Sequence, residues 1–198
     1  MTSGAHAPEG DKTAISRERA ERRRSVRRTV LETRERLTSM TGTRPAFDYE
    51  LALTFARNRI SAGYAIPLLI VIVAAAAMLW VDASIIAAWA ALVLAAHLGM
   101  LMLCRTYISL PANSVPMRKW VRSFVVAEFI GGLAWGLLMV LLPRESGDVA
   151  GLEVFQFATA LIVLSVITSL ALTMLPAATA GTMPITIILA AIYVSRGG

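Results

Sequence analysis

The sequence predicts an all-α protein: a polytopic transmembrane helical bundle with a basic helix on its N-terminal side. Three observations predict it. Of 198 residues, 57% are hydrophobic and 16% charged, at a mean hydropathy of +0.65, far from the balance of a soluble domain. Apolar runs of about 20 residues, the length that crosses a hydrocarbon core about 30 Å thick, recur along the chain. The charge is gathered ahead of them, with 13 of the 19 Lys and Arg in residues 1–59. One cysteine and no apolar stretch near the start exclude a disulfide scaffold and a cleaved secretory signal.

Residues 1–12 mix Gly, Pro, Ser and Ala without periodicity, a composition that buries too little apolar surface to offset its ordering entropy, so disorder is expected there. Residues 13–59 form the basic cytoplasmic helical and juxtamembrane region. Glu18, Glu21, Glu32 and Glu35 stand three and four residues from Arg side chains, the pattern of a solvated helix. Val26, Val30, Thr33, Leu37 and Met40 add a short four-three seam, too brief for a firm coiled coil. MTGTRP, from Met40, breaks this helix. FDYELALTFARNR then reads as a second amphipathic stretch, with Phe47, Leu51 and Phe55 in the bilayer interface.

Residues 60–198 form the transmembrane module. Four spans are expected, at Ile60–Val81, Ser84–Cys104, Arg122–Leu142 and Phe155–Leu175. A fifth, from near Gly181, offers about 14 apolar positions, short of a full crossing. The segment Arg105–Arg122 carries four basic residues and no acid, whereas PRESGDVAGLE is acidic and the turn at Asp82 has no base. By the positive-inside rule the N-terminus is expected to be cytoplasmic. Five spans then finish outside, so a cytoplasmic C-terminal domain needs a sixth span in a longer parent.

Ionisable groups inside a span are costly unless paired. His97 and Glu128 fall at matching depth in neighbouring antiparallel spans, making them the candidate intramembrane polar pair. Two readings stay open: a static interhelical hydrogen bond, or a proton- or cation-sensitive pair. Gly132 and Gly136 give the third span a GxxxG face for helix packing, within one chain or between two. Ser165, Ser169 and Thr173 share a face of the fourth span, where bonding to their own helix is the usual outcome. Cys104, beside Arg105, is expected to be a buried, inert thiol.

No Gly-rich phosphate loop, HExxH, CxxC or nucleophile elbow occurs, and two His with one Cys make no metal site. No catalytic, cofactor-binding or metal-binding residue is therefore assigned in this segment. The Arg run lacks aromatic platforms and is interspersed with Glu, which favours the lipid bilayer over nucleic acid as its partner.

The stretches FARNRISAGYAIPLLIVIVAAAAMLWV, HLGMLMLCR, WVRSFVVAEFIGGLAWGLLMVLLP and MLPAATAGTMP together resemble the N-terminal membrane region of alphaproteobacterial sensor histidine kinases, over residues 47–198. The resemblance implies a membrane input module of a two-component signalling kinase, here an N-terminal fragment. A PAS domain, a dimerisation-histidine domain and an ATP-binding core would follow it in the parent. It also implies a homodimer and a cytoplasmic response-regulator partner, with ATP as the cofactor of the parent; similar modules precede diguanylate cyclase domains. No phosphoacceptor residue is carried over, and His97 is not one. Two other classes stay open: a stand-alone carrier or channel-like protein using His97 and Glu128 as a proton relay, and a membrane scaffold whose Arg-rich helix recruits a partner.

Overall fold

The computed structural model describes residues 45–111, 116–143 and 149–197. The architecture below is that of the unit Asp48–Gly198; the expectations for residues 1–44 lie outside the described residues. Six helices follow in order: α1 Pro45–Ser61, α2 Ala65–Ala77, α3 Ala83–Ser109, α4 Met117–Leu141, α5 Val149–Ala171 and α6 Leu175–Gly197. No strand occurs among the described residues.

Four of these are long and apolar enough to cross a membrane, over Ala83–Ser109, Met117–Leu141, Ala150–Ala171 and Leu175–Ser195. Their outward faces carry Met102, Val140, Val154, Leu161 and Ile187, all exposed. So much exposed apolar surface is incompatible with water and suits lipid. The protein is a membrane protein.

The first crossing differs from the expected span at Ile60–Val81. α1 and α2 are bent by 52° at a break, and α2 alone, 13 residues, reaches only about 20 Å. Side-chain contacts settle its course. Tyr49 packs on Tyr107 near the end of α3, with ring centroids 5.7 Å apart, whereas Trp80, just after α2, stacks on Phe155 near the start of α5 at 5.2 Å. These are opposite ends of the bundle, so α1 and α2 together traverse it as one broken span. Phe55 is fully buried against Phe124 of α4 at 5.1 Å, which corrects its expected place in the interface. The physical reason is the stripe Asp48, Ala52, Phe55, Ala56 and Arg59, all buried at helical spacing: the helix turns this face to the bundle. Leu51 is half-buried, and the Phe47 side chain lies outside the described set.

The break has a local cause. Pro67 has no N–H to give the carbonyl four residues back, which is that of Gly63. Gly63 itself closes a tight turn, its N–H bonding to the Ile60 carbonyl at 3.0 Å; a Cβ there would stand 2.9 Å from that oxygen.

α6 also departs from expectation, beginning at Leu175 rather than near Gly181 and spanning fully. Pro176 occupies the first turn, where a missing N–H costs nothing, and Ala177, Ala178 and Ala180 propagate the helix. Pro184 is accommodated within it. α5 correspondingly stops at Ala171, short of the expected Leu175.

The closest helix pair is α4 with α6. Gly132 lies against Gly181, and Gly136 against Ile185 and Ile188. Both registers rise together, so these helices run parallel. α3 runs antiparallel to α4, fastened by the Trp89 indole donating to the Ala134 carbonyl at 2.9 Å and by the edge-on Trp89–Trp135 pair. Replacing Trp89 with Phe is expected to lower stability by about 1 kcal/mol, the value of one such bond. Thermal unfolding in detergent reads this, and an unchanged midpoint would remove the bond's importance.

Candidate functional site

The break of the first span leaves the Gly63 carbonyl without its helical donor. His97 Nε2 donates to it at 3.2 Å. Because a carbonyl only accepts, this bond places the proton of a neutral imidazole on Nε2 and leaves Nδ1 as an acceptor. His97→Ala is expected to strand the half-buried Gly63 carbonyl at a cost of about 1 kcal/mol. Pro67→Ala supplies an N–H and is expected to recover much of that loss in the double variant. Unfolding midpoints of the two single variants and the double variant test this; strictly additive effects would refute it.

Glu128 takes a different partner. Its Oε1 accepts from Arg59 Nη2, in an ion pair whose side chains are each 5% exposed. The pair joins the last turn of α1 to the middle of α4, and Arg59 also lies over the Phe55 ring, 5.6 Å from its centroid. The direct His97–Glu128 bond expected from matching depth is thus replaced by two bonds, one to Gly63 and one to Arg59. The reason is the broken span: α1 brings a cation to the carboxylate, and Pro67 leaves a carbonyl for the imidazole.

His97, Glu128 and Arg59 nevertheless line one cavity of about 50 Å³. Ile66 of α2, Trp135 of α4 and Val163 and Ile167 of α5 supply apolar walls. A cavity of this size takes a few waters, each needing about 10–15 Å³ of such space, or one molecule of a few heavy atoms, and is far below the roughly 300–1,000 Å³ of a drug-sized site. Its polar groups are a carboxylate, an imidazole and a guanidinium whose buried Nε has no hydrogen-bond partner. Such a set can hold a small hydroxylic molecule or pass a proton between an acceptor nitrogen and a carboxylate. Among the described residues no group of three or more His, Cys, Asp or Glu could hold a metal ion.

The remaining sequence candidates sit elsewhere. Gly132 and Gly136 lie on the α4–α6 contact, next to the cavity, and Gly181 comes close to both Glu128 and Ile167. Ser165 and Ser169 are exposed on α5, while Thr173 is half-buried just past its end. Cys104 is fully buried. Sequence reasoning missed Arg59, which it assigned to the juxtamembrane region, and Gly181. The Arg59 signal was present in the 48, 52, 55, 56, 59 stripe, which continues an apolar face to an arginine. No family model, no curated protein and no solved structure matches the chain.

Proposed function

We propose that this chain is the membrane-embedded input module of a bacterial two-component signalling kinase. The observation that carries the reading is the buried Arg59–Glu128 ion pair, which ties a short helix to the bundle on the far side of a helix break. We read the broken span, held by this ion pair together with the Phe55–Phe124 and Tyr49–Tyr107 contacts, as a two-state element. With the pair intact α1 lies along α4; a ligand or proton in the cavity that competes for either partner frees α1 to swing about residues 62–64. The basic segment preceding α1 would carry that motion along the cytoplasmic face of the inner membrane, and packing shifts at Gly132 would carry it through α6. The short connections between spans leave the stimulus to arrive within the membrane.

In this orientation the N-terminus is cytoplasmic and α6 ends outside. The reading therefore requires a sixth span, then dimerisation-histidine and ATP-binding sequence, in the frame beyond Gly198, with a homodimer and a response regulator as partners. Determining that frame is the first test, and a stop codon directly after Gly198 overturns the proposal. The second is histidine phosphorylation of the full-length product in vesicles with ATP. Glu128→Gln is expected to change its rate about fivefold or more, the size of a typical coupling free energy.

A second reading has one observation in its favour. Broken helices line the central sites of many carriers, and the α1–α2 break adjoins the cavity. A small proton-coupled carrier would move protons across vesicles holding a pH-sensitive dye, and Glu128→Gln would stop it. A scaffold built on the Arg-rich segment would need neither the cavity nor the break.

A further inference from the structure

A second concave feature lies on the lipid-facing surface between α3 and α4. It is a groove of about 420 Å³ lined by Gly99 and Leu103 of α3 and by Lys119, Arg122, Val126 and Ile130 of α4, among others. Its chemistry is divided along its length. Lys119 and Arg122 occupy one end, both exposed, and the remainder is apolar.

The two helices that form the groove bring no acid of their own to its basic end. No Asp or Glu occurs anywhere from residue 83 to residue 127. Lys119 and Arg122 stand in the first two turns of α4, whose start has no acidic residue and no side-chain cap. The positive end of a helix dipole and two cations there repel one another. An anion placed between them relieves both terms.

The apolar end fits a hydrocarbon chain. Lys119 to Ile130 covers 11 residue steps, about 16 Å at 1.5 Å per residue, or half of a hydrocarbon core about 30 Å thick. That is the depth of one leaflet. Gly99 keeps the floor open, since a Cβ built there meets no atom within 4 Å. A charged head of one sign and an apolar trough one leaflet deep describe a phospholipid.

We propose that this groove binds one anionic phospholipid, its phosphate held by Lys119 and Arg122 and one acyl chain lying over Gly99. Basic clefts between transmembrane helices recognise anionic headgroups in this way. The site shares only Ala127 with the Arg59–Glu128 cavity and stands whatever the module's output.

The test is native mass spectrometry of the full chain in detergent, with phosphatidylglycerol and phosphatidylcholine of equal chain length in equal amounts. Phosphatidylglycerol adducts are expected to exceed phosphatidylcholine adducts about tenfold, from two basic contacts. The double variant Lys119→Gln with Arg122→Gln is expected to bring the ratio near one. Arg118→Gln, on the same turn but outside the groove, is expected to leave it unchanged. Gly99→Leu keeps every charge and places its Cβ in open space, and it is expected to cut phosphatidylglycerol adducts about fivefold by filling the chain's place while the unfolding midpoint stays near that of the parent. A ratio that survives the double variant places the lipid on other basic residues and overturns the site. Indifference to Gly99→Leu reduces the contact to a headgroup association, and a dimer that Gly99→Leu dissociates makes the occupant a second copy; either result overturns the proposal.

Discussion

Glu128→Leu is expected to lower stability by about 3–5 kcal/mol, because it leaves the Arg59 guanidinium buried without its counter-charge. Arg59→Leu is expected to cost clearly less. The two partners differ chemically: a carboxyl left alone can bind a proton and become neutral, whereas a guanidinium cannot shed one. The double variant Arg59→Leu with Glu128→Leu removes both charges and replaces them with apolar volume, so it is expected to be more stable than Glu128→Leu alone. Unfolding of the four proteins in mixed micelles gives the cycle. Equal costs for the two single variants would show that the pair is hydrated and not the lock assigned to it. The same cycle bears on function, since the double variant should uncouple α1 without destroying the bundle.

Gly132→Ala is the second large effect. A Cβ at Gly132 would fall 2.1 Å from the Gly181 carbonyl oxygen, a backbone atom that cannot rotate away. α4 and α6 must part, at an overpacking cost of about 1–3 kcal/mol. That outweighs the gain of about 1 kcal/mol that alanine brings to a helix interior. Gly136→Ala meets the end of the Ile188 side chain at 2.7 Å, a flexible group that can turn, so its cost is expected to be small. Gly131→Ala meets nothing within 4 Å and is expected to be neutral or stabilising. The order Gly132, Gly136, Gly131 in falling cost can be read from unfolding midpoints. A Gly132→Ala variant as stable as the parent would mean that α4 and α6 are not in backbone contact.

The helices that were legible in the sequence are those whose apolar runs are unbroken and flanked by charge. α3 and α4 fall within a few residues of expectation because Asp82 and the Arg105–Arg122 segment bracket them. α1 was not legible as part of a span, since Asp48, Glu50, Arg57, Asn58 and Arg59 lower its local hydropathy, and a window average cannot see that the buried stripe contains only two of these charges. The start of α6 was hidden by two prolines that read as loop and are tolerated for different reasons. For the site, His97 and Glu128 stood out because each interrupts an apolar run. Their partners did not, because pairing depends on the depth at which α1 ends, and depth counted along a straight helix is wrong for a bent one. The Gly63 carbonyl could have been found: a proline four residues after a glycine in an apolar run announces an orphaned acceptor, and His97 is the one histidine available within the spans.

The parallel pairing of α4 with α6 also fixes an order of assembly. Spans emerge from the ribosome in sequence, and most find their partner in the span just made. α4 can pair at once with α3 through Trp89, but its glycine face has to wait for α5 and then α6 to be synthesised before Gly181 arrives to cover it. During that interval a half-built chain presents Gly132 and Gly136 to the bilayer as a closely packable surface without its intended neighbour.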